Sequence, residues 1–536
     1  MKNKKRSDYL SYLALGLSFM LLLVLNLRYH DHWLDSDMAA EMIFSKQLSQ
    51  SGHFFATPDW YYSTEFRFLY THWIMGPLFA IFGSWHVIRM ITNLLSYALM
   101  LASYFFFMKP FKVRRSLVTG SSVLLLLPFS ETMMTHMQMG NTYMFHVIIA
   151  FLFMGLFFRL SDPDQKTKRP WVLVLYVLIS LICGVSGVRY LLALQCPLVL
   201  AGLTGMLRSN EFANFRSELT LENAKGKFQE LLGAYCVKNV GYTLLGLVAA
   251  IVGYGINILY VCRKYVFQTY EETNFIAIYQ GIFVERLQDA FGSLMMLFGY
   301  IPDKGVLSLR GLISILAFVL IVLYGYVAVR NIRQQKGKRG MLVNFFWMAF
   351  LLNVFVFVFS TSTMVPRYYI LIYIFLLPLL CFYLEKEERF FDRMTVTAIL
   401  SFCMILATGK VVLSFVTTDK NVEHKAVAAV LEEKGLSFGY ATYWHANIIT
   451  ELTDGRVEVA NVGDPRHLEF FRWSSPRRYY DEAYDGEIFL LLTDDEYNDA
   501  SDAETLLAGE MLYHDRGFVI LKYSSQQQLF EKREFR

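Results

Sequence analysis

Charge is scarce in this chain. Only 18% of its 536 residues are Asp, Glu, Lys or Arg, while 55% are hydrophobic and 16% aromatic, a balance that excludes a disordered segment or an ordinary soluble domain. The net charge of +4 gives no reason to expect a nucleic-acid partner. Cysteine is rare too: Cys183, Cys196, Cys236, Cys262, Cys381 and Cys403 lie in or beside apolar runs, which argues against a disulfide framework. No C-x-x-C pair occurs, so a structural zinc site has no support. The first apolar run lacks a small-residue cleavage site and is too long for a secretory signal, so it reads as a retained first span. No internal repeat is visible, which counts against a transporter or flippase.

What is present is a succession of long apolar stretches. Each must be helical, because hydrocarbon offers no partner to backbone N–H and C=O groups. The reading is an α-helical polytopic membrane protein with about eleven transmembrane helices, near 8–27, 84–108, 116–130, 143–159, 171–186, 190–207, 239–261, 311–329, 341–360, 368–384 and 394–416. Phe68–Gly83 is apolar but short and holds a Gly-Pro, which suits a juxtamembrane or re-entrant helix. With the N-terminus cytoplasmic, inner loops collect Lys109/Lys112/Arg114/Arg115, Arg159/Lys166/Lys168/Arg169, Arg330/Arg333/Lys336/Lys338/Arg339 and Lys386/Arg389/Arg393, as the positive-inside rule requires. Residues 1–416 then form the membrane domain, with an external loop at 28–83, and 417–536 form an extracytoplasmic tail. The lysine-rich start and the lack of a C-terminal retention signal fit a bacterial plasma membrane.

The tail is richer in charge and long enough to bury its own core. Helix-like VEHKAVAAVLEEKG and YWHANIITELTDG alternate with strand-like LSFGYAT, RVEVANV and EIFLLLT, and MLYHDRGFVILKYS reads as a hairpin about Asp515-Arg516-Gly517. A small α/β domain is expected. Within the membrane part, EETNFIAIYQGIFVERLQDAFGSLMMLFGY (271–300) reads as interfacial helix.

Polar residues converge at the external ends of the spans. The first loop carries HDHWLDSDMAAEM with His30, Asp31, His32, Asp35, Asp37 and Glu41, and later Asp59, Glu65 and Arg67. The next external loop adds Glu131, His136, Gln138 and Asn141, while Arg189-Tyr190 and Arg367-Tyr368 open two later spans. A carboxylate beside arginines at a lipid–water boundary is the chemistry that activates a hydroxyl while holding a phosphate.

In this order the features resemble the GT-C class of integral-membrane glycosyltransferases, such as protein O-mannosyltransferases and aminoarabinose transferases. The resemblance rests on an acidic motif after the first span, LFAIFGSWHVIRM with its Phe-Gly and later Arg, an Arg-Tyr pair at a late span, and an external closing domain. It implies transfer of a sugar from a polyprenyl-phosphate carrier in the bilayer to an external acceptor, by one inverting displacement. It also implies Asp37, which aligns better by position, or Asp35 as general base; many members have Asp-Glu where this chain has Asp37-Met38, a departure that leaves both aspartates open. Arg367 and Arg189 would hold the leaving phosphate, with Tyr368 and Tyr190 beside them. Glu65, Arg67, His136 and Asn141, with Trp444 and His445 of the tail, are the candidates for the acceptor cavity.

Other readings stay open beside these. Asp37 suits the N-cap of the following helix. Either Arg-Tyr pair serves equally as an interfacial anchor. His30, Asp31, His32 and Asp35 suit a divalent metal, as some family members use, or plain hydrogen bonding. Tyr440, Tyr443, Trp444, His445 and Asn447 suit a sugar face or packing against the membrane domain. A transporter, flippase or non-enzymatic envelope assembly protein is the alternative function.

Overall fold

The computed structural model describes residues 2–162, 170–220, 223–268, 273–276, 281–302 and 307–530. Lys166, Lys168 and Arg169 of the expected inner loop, and parts of 271–300, lie outside the described residues. The chain is a multi-pass helical membrane protein with an α/β C-terminal region.

Among the described residues, seven helical segments are long and apolar enough to cross a bilayer: Ser7–Tyr29, Trp85–Phe111, Tyr235–Lys264, Ser314–Gln334, Gly337–Val358, Pro366–Lys386 and Phe390–Glu433, the last comprising the helices Phe390–Thr417 and Val422–Glu433. The count rises to nine if two bent pairs are each one span. Two shorter apolar helices, Met144–Leu160 and Pro170–Val185, complete the set; the first, with 17 residues, is about 25 Å long. All eleven apolar stretches named from the sequence thus fall on helices, but by length and composition seven to nine qualify as spans. The stretch read as 116–130 stops early, at Leu126, and the chain turns by 90° before Glu131–Met139. Pro128 is the cause: it disfavours helix at Leu127, which is extended at φ −80°, ψ 122°. The helix in Phe68–Gly83 is only His72–Leu78. Within 271–300 the helix is Phe283–Leu297.

One helix is the central post. Of the apolar window in Pro366–Lys386, 89% is buried inside the protein, against 22% for Ser7–Tyr29. Its sequence explains this, since ILIYIFLLPLLCFYL is apolar on every side and has no polar face to turn to water. Arg367 and Tyr368 sit on the turn that opens this post, so their backbones are held by the most enclosed element of the bundle.

The strands, in chain order, are β1 Trp60–Tyr62, β2 Val266–Phe267, β3 Phe438–Thr442, β4 Glu458–Val462, β5 Ser475–Pro476, β6 Ile488–Thr493, β7 Glu510–Asp515 and β8 Phe518–Tyr523. Five of them form a sheet of order β4-β3-β6-β8-β7, with β3 parallel to β4 and β6, and β8 antiparallel to β6 and β7. Apolar residues on both faces of β6, Ile488 to Leu492, are fully buried, as a central strand covered by two layers requires. Helices Val422–Glu433 and Tyr443–Leu452 cover one layer. A second sheet, β2-β1-β5, joins the first loop, a later loop and the C-terminal region by backbone pairing.

The cluster HDHWLD forms much of the joint between the two parts. The His32 ring hydrogen-bonds to the Phe415 carbonyl (2.9 Å) and Trp33 Nε1 donates to the Thr418 carbonyl (3.0 Å). Asn421 Nδ2 donates to the carbonyls of Asp31 and Leu34, and Lys425 Nζ reaches Asp31 at 2.7 Å and Asp419 at 2.5 Å. The first span, the last span and the C-terminal region are therefore fastened at one end of the bundle.

Candidate functional site

A cavity of about 590 Å³ opens where the acidic helix Ser36–Ser51, the first loop, the central post and the C-terminal region meet. Asp37, Glu41, Glu65, Arg67, Arg189, Arg367, Tyr368, Tyr443 and Trp444 are among its lining residues.

The acidic helix starts earlier than the sequence suggests. Its N-cap is Asp35, not Asp37: Asp35 is extended and accepts a hydrogen bond from Met38 N at 2.9 Å. A cap needs a side chain that folds back onto the first free N–H groups, and Asp35 spends its Oδ1 in this way. Burial, and then the nearby Asp37 charge, push the Asp35 carboxyl up to about 6. Asp37 lies in the first turn, where unpaired N–H groups favour an anion, and its carboxylate lines the cavity.

The two oxygens of Asp37 face different partners. Oδ1 accepts from Tyr443 Oη at 2.6 Å, and Oδ2 stands 3.8 Å from Arg367 Nη1. Ser36 Oγ donates to the Tyr443 carbonyl, so the same tyrosine is tied to the acidic helix at backbone and side chain. Arg189 Nε donates to Glu65 Oε1 and its Nη1 to Tyr143 Oη, both at 2.8 Å. The Tyr368 ring is near both guanidiniums, 5.7 Å from that of Arg189 and 6.0 Å from that of Arg367. Deeper in, Glu41 is held by Arg67 and by Thr71 Oγ1 at 2.7 Å; burial raises its carboxyl against the lowering effect of Arg67.

The geometry thus brings Asp37, Arg367, Arg189, Tyr368, Glu65, Arg67 and Trp444 to one cavity and leaves the other candidates outside its lining. Asp35 is engaged as the cap. Tyr190 is buried and hydrogen-bonds with His146 Nδ1 at 2.5 Å. Asn141 is buried in the left-handed region, donating Nδ2 to Ser96 Oγ at 2.9 Å. The His136 ring hydrogen-bonds with Thr142 Oγ1 at 3.1 Å. His445 turns into the C-terminal region, where it meets His424 Nε2 at 2.9 Å. Each of these four has a hydrogen-bond partner outside the cavity lining.

The four side chains weighed between a divalent metal and plain hydrogen bonding each take a separate partner. His30 packs its ring 3.5 Å from that of His86, His32 bonds the Phe415 carbonyl, Asp31 pairs with Lys425, and Asp35 caps the helix. Among the described residues no group of three or more His, Cys, Asp or Glu is placed to hold a metal ion.

Two residues named from the sequence take partners that the sequence does not reveal. Tyr443 was visible only as one aromatic among several, and its pairing with Asp37 spans 406 positions. Arg89, the Arg of LFAIFGSWHVIRM, makes a bidentate bond to Glu451, with Nε to Oε1 and Nη2 to Oε2 both at 2.6 Å, and also donates Nη2 to the Met38 carbonyl at 3.0 Å. At 2% and 7% exposure this pair is a buried clamp joining the membrane part, the acidic helix and the C-terminal region.

No protein-family model and no curated protein matches the sequence. Among solved structures the chain is similar to ArnT from Cupriavidus metallidurans bound to undecaprenyl phosphate, with TM-score 0.44, 13% identity, and 95% of this chain and 97% of that chain covered. The same protein in the apo state gives 0.43, 14%, 95% and 97%. The Archaeoglobus fulgidus oligosaccharyltransferase tethered with an acceptor peptide gives 0.46, 11%, 97% and 74%.

Proposed function

We propose that this chain is a membrane glycosyltransferase that moves a sugar from a polyprenyl-phosphate carrier to an acceptor hydroxyl, on the external face of a bacterial plasma membrane. The observation that carries this reading is Asp37: one oxygen faces Arg367 and the other Tyr443, at the floor of a cavity that also holds Arg189 and Tyr368. The acceptor oxygen attacks the anomeric carbon, the bond from that carbon to the phosphate oxygen breaks, and the acceptor proton passes to Asp37. The configuration inverts, and polyprenyl phosphate leaves with the bonding electron pair.

Each group has a physical task. A positioned general base contributes roughly 10²–10⁴ in rate. The guanidiniums of Arg367 and Arg189 meet charge that grows on the departing phosphate, so they stabilise the transition state more than the ground state. Arg189 is braced by Glu65 and Tyr143, which fixes its fork before substrate arrives. Tyr443 holds the base in one rotamer.

The test is release of free polyprenyl phosphate by protein purified in detergent, supplied with a panel of polyprenyl-phosphate sugars and cell-envelope extract. Turnover in wild type that Asp37→Asn removes, with folding and donor binding retained, supports the reading. Failure of wild type to bind any polyprenyl-phosphate sugar rejects it in favour of a transporter or assembly protein.

A further inference from the structure

The cavity is divided by chemistry. Its six Asp, Glu and Arg liners, Asp37, Glu41, Glu65, Arg67, Arg189 and Arg367, all come from the membrane part, whereas the C-terminal region contributes Tyr443, Trp444, Phe471, Trp473 and Ser474, with no charge among them. The three carboxylates and three guanidiniums balance. Glu41 pairs with Arg67, Glu65 with Arg189, and Asp37 faces Arg367, so Arg367 and Arg189 are left to the donor phosphate and the C-terminal wall offers an acceptor no ionic partner.

The C-terminal wall is a continuous aromatic surface. Tyr443 meets Trp444 edge-on at 5.2 Å and Phe471 at 5.8 Å, and Phe471 lies against Trp473 at 6.2 Å with the rings 28° from parallel. Trp444 is 60% exposed. A large indole left exposed in the cavity lining forgoes burial that a core position would give it, and therefore marks a contact surface for something else.

An in-line displacement fixes which substrate uses it. If the phosphate departs toward Arg367, the attacking oxygen approaches from the other side of the anomeric carbon. Asp37 Oδ1 turns to Tyr443 and Oδ2 to Arg367, so the aromatic wall stands across Asp37 from Arg367. From this we infer that the acceptor is a neutral saccharide, its pyranose C–H faces lying on Trp444, Phe471 and Trp473. The apolar faces and polar rims of sugar rings match aromatic rings bordered by the hydroxyls of Ser63, Thr64 and Ser474, which share the lining. This assignment rests on the transferase reading given above and adds the acceptor class to it.

The experiment is binding by isothermal titration and tryptophan fluorescence, using full-length protein in detergent. The probes are cellopentaose, maltopentaose, chitopentaose and mannopentaose, with a Ser/Thr-rich peptide and a short-chain diacylglycerol as competitors. At least one oligosaccharide is expected to bind, about tenfold more weakly to Trp444→Ala, with Trp444→Phe restoring most of the loss and Trp473→Ala weakening it independently. Undecaprenyl phosphate binding, measured in parallel, is expected to be unchanged in both alanine variants. Failure of all four saccharides while undecaprenyl phosphate still binds overturns the acceptor assignment and leaves the transferase reading standing. Trp444-dependent binding of the peptide or the diacylglycerol in place of a saccharide overturns it as well. Loss of undecaprenyl phosphate binding from wild type removes the transferase reading beneath it.

Discussion

Tyr443 donates its hydroxyl to Asp37 Oδ1 at 2.6 Å although 406 residues separate them. The contact places a side chain of the C-terminal region on the carboxylate proposed as general base, so the C-terminal region is part of the site and not an appendage. Tyr443→Phe keeps the ring and removes only the donor. A hydrogen bond to a charged group is worth about 1.5–3 kcal/mol, so kcat for polyprenyl-phosphate release is expected to fall about tenfold or more with little change in KM. An equal loss in KM with kcat unchanged would assign Tyr443 to substrate binding instead.

The two aspartates are expected to separate cleanly. Asp37→Asn removes the proton acceptor and is expected to lower turnover by roughly 10²–10⁴. Asp35→Asn keeps an N-cap, since Asn caps as well as Asp, and is expected to retain most activity; Asp35→Ala is expected to lose about 1 kcal/mol of stability. Single-turnover product release and thermal unfolding on the same preparations check both. If Asp35→Asn is the inactive variant, the base is Asp35 and the cavity geometry has been misassigned.

Arg367 and Arg189 are both near the Tyr368 ring but differ in bracing. Arg189 is fixed by two 2.8 Å bonds, whereas Arg367 has a 3.8 Å approach to Asp37 and is 36% exposed. A planar fork gripping phosphate cannot be replaced by a point charge. Arg367→Lys is therefore expected to lower kcat more than it weakens undecaprenyl phosphate binding, and Glu65→Gln to weaken donor binding by releasing the Arg189 fork. Equilibrium binding and steady-state kinetics distinguish the two effects.

Much of this arrangement was legible in the chain. Composition and apolar runs are local signals, so the helical membrane class, and elements such as the hairpin about Asp515-Arg516-Gly517 between β7 and β8, follow from short windows. The convergence of Asp37, Arg189 and Arg367 was readable because each sits beside an apolar run. What stayed hidden depends on pairing across the fold: Tyr443 with Asp37, Arg89 with Glu451, and the aromatic wall of Phe471 and Trp473. The error in the helix start is local but subtle, since Asp35 and Asp37 both precede an apolar run, and only the backbone turn shows which one folds back on Met38. The bend at Pro128 stayed hidden for the opposite reason, as hydropathy continues through a 90° turn that ends the helix at Leu126.

The Arg89–Glu451 clamp gives a stability prediction. Both groups are buried and bidentate, and removing one partner leaves a charge without compensation, which costs about 3–5 kcal/mol, whereas an apolar replacement of both is often neutral. Glu451→Leu alone is expected to lower the unfolding temperature strongly and to loosen the C-terminal region, seen as faster proteolysis after Thr417. The double variant Arg89→Met/Glu451→Leu is expected to recover much of the loss. A single variant as stable as wild type would show that the clamp contributes nothing net.

Stability should also depend on pH through Asp35. Its carboxyl is raised to about 6 in the folded protein, by burial first and then by the neighbouring Asp37, while an unfolded Asp titrates near 3.9. The folded state therefore holds the proton more tightly, so the contribution of Asp35 is fully present below about pH 4 and is lost as pH rises through about 6. Asp35→Asn carries no proton to lose and keeps the cap. The stability difference between Asp35→Asn and wild type is expected to shift in favour of the variant between pH 4 and 7 and to level off above that, as measured by unfolding temperature in matched detergent and salt. A difference that stays flat across this window would mean that the carboxylate of Asp35 is as well accommodated beside Asp37 as it is in water.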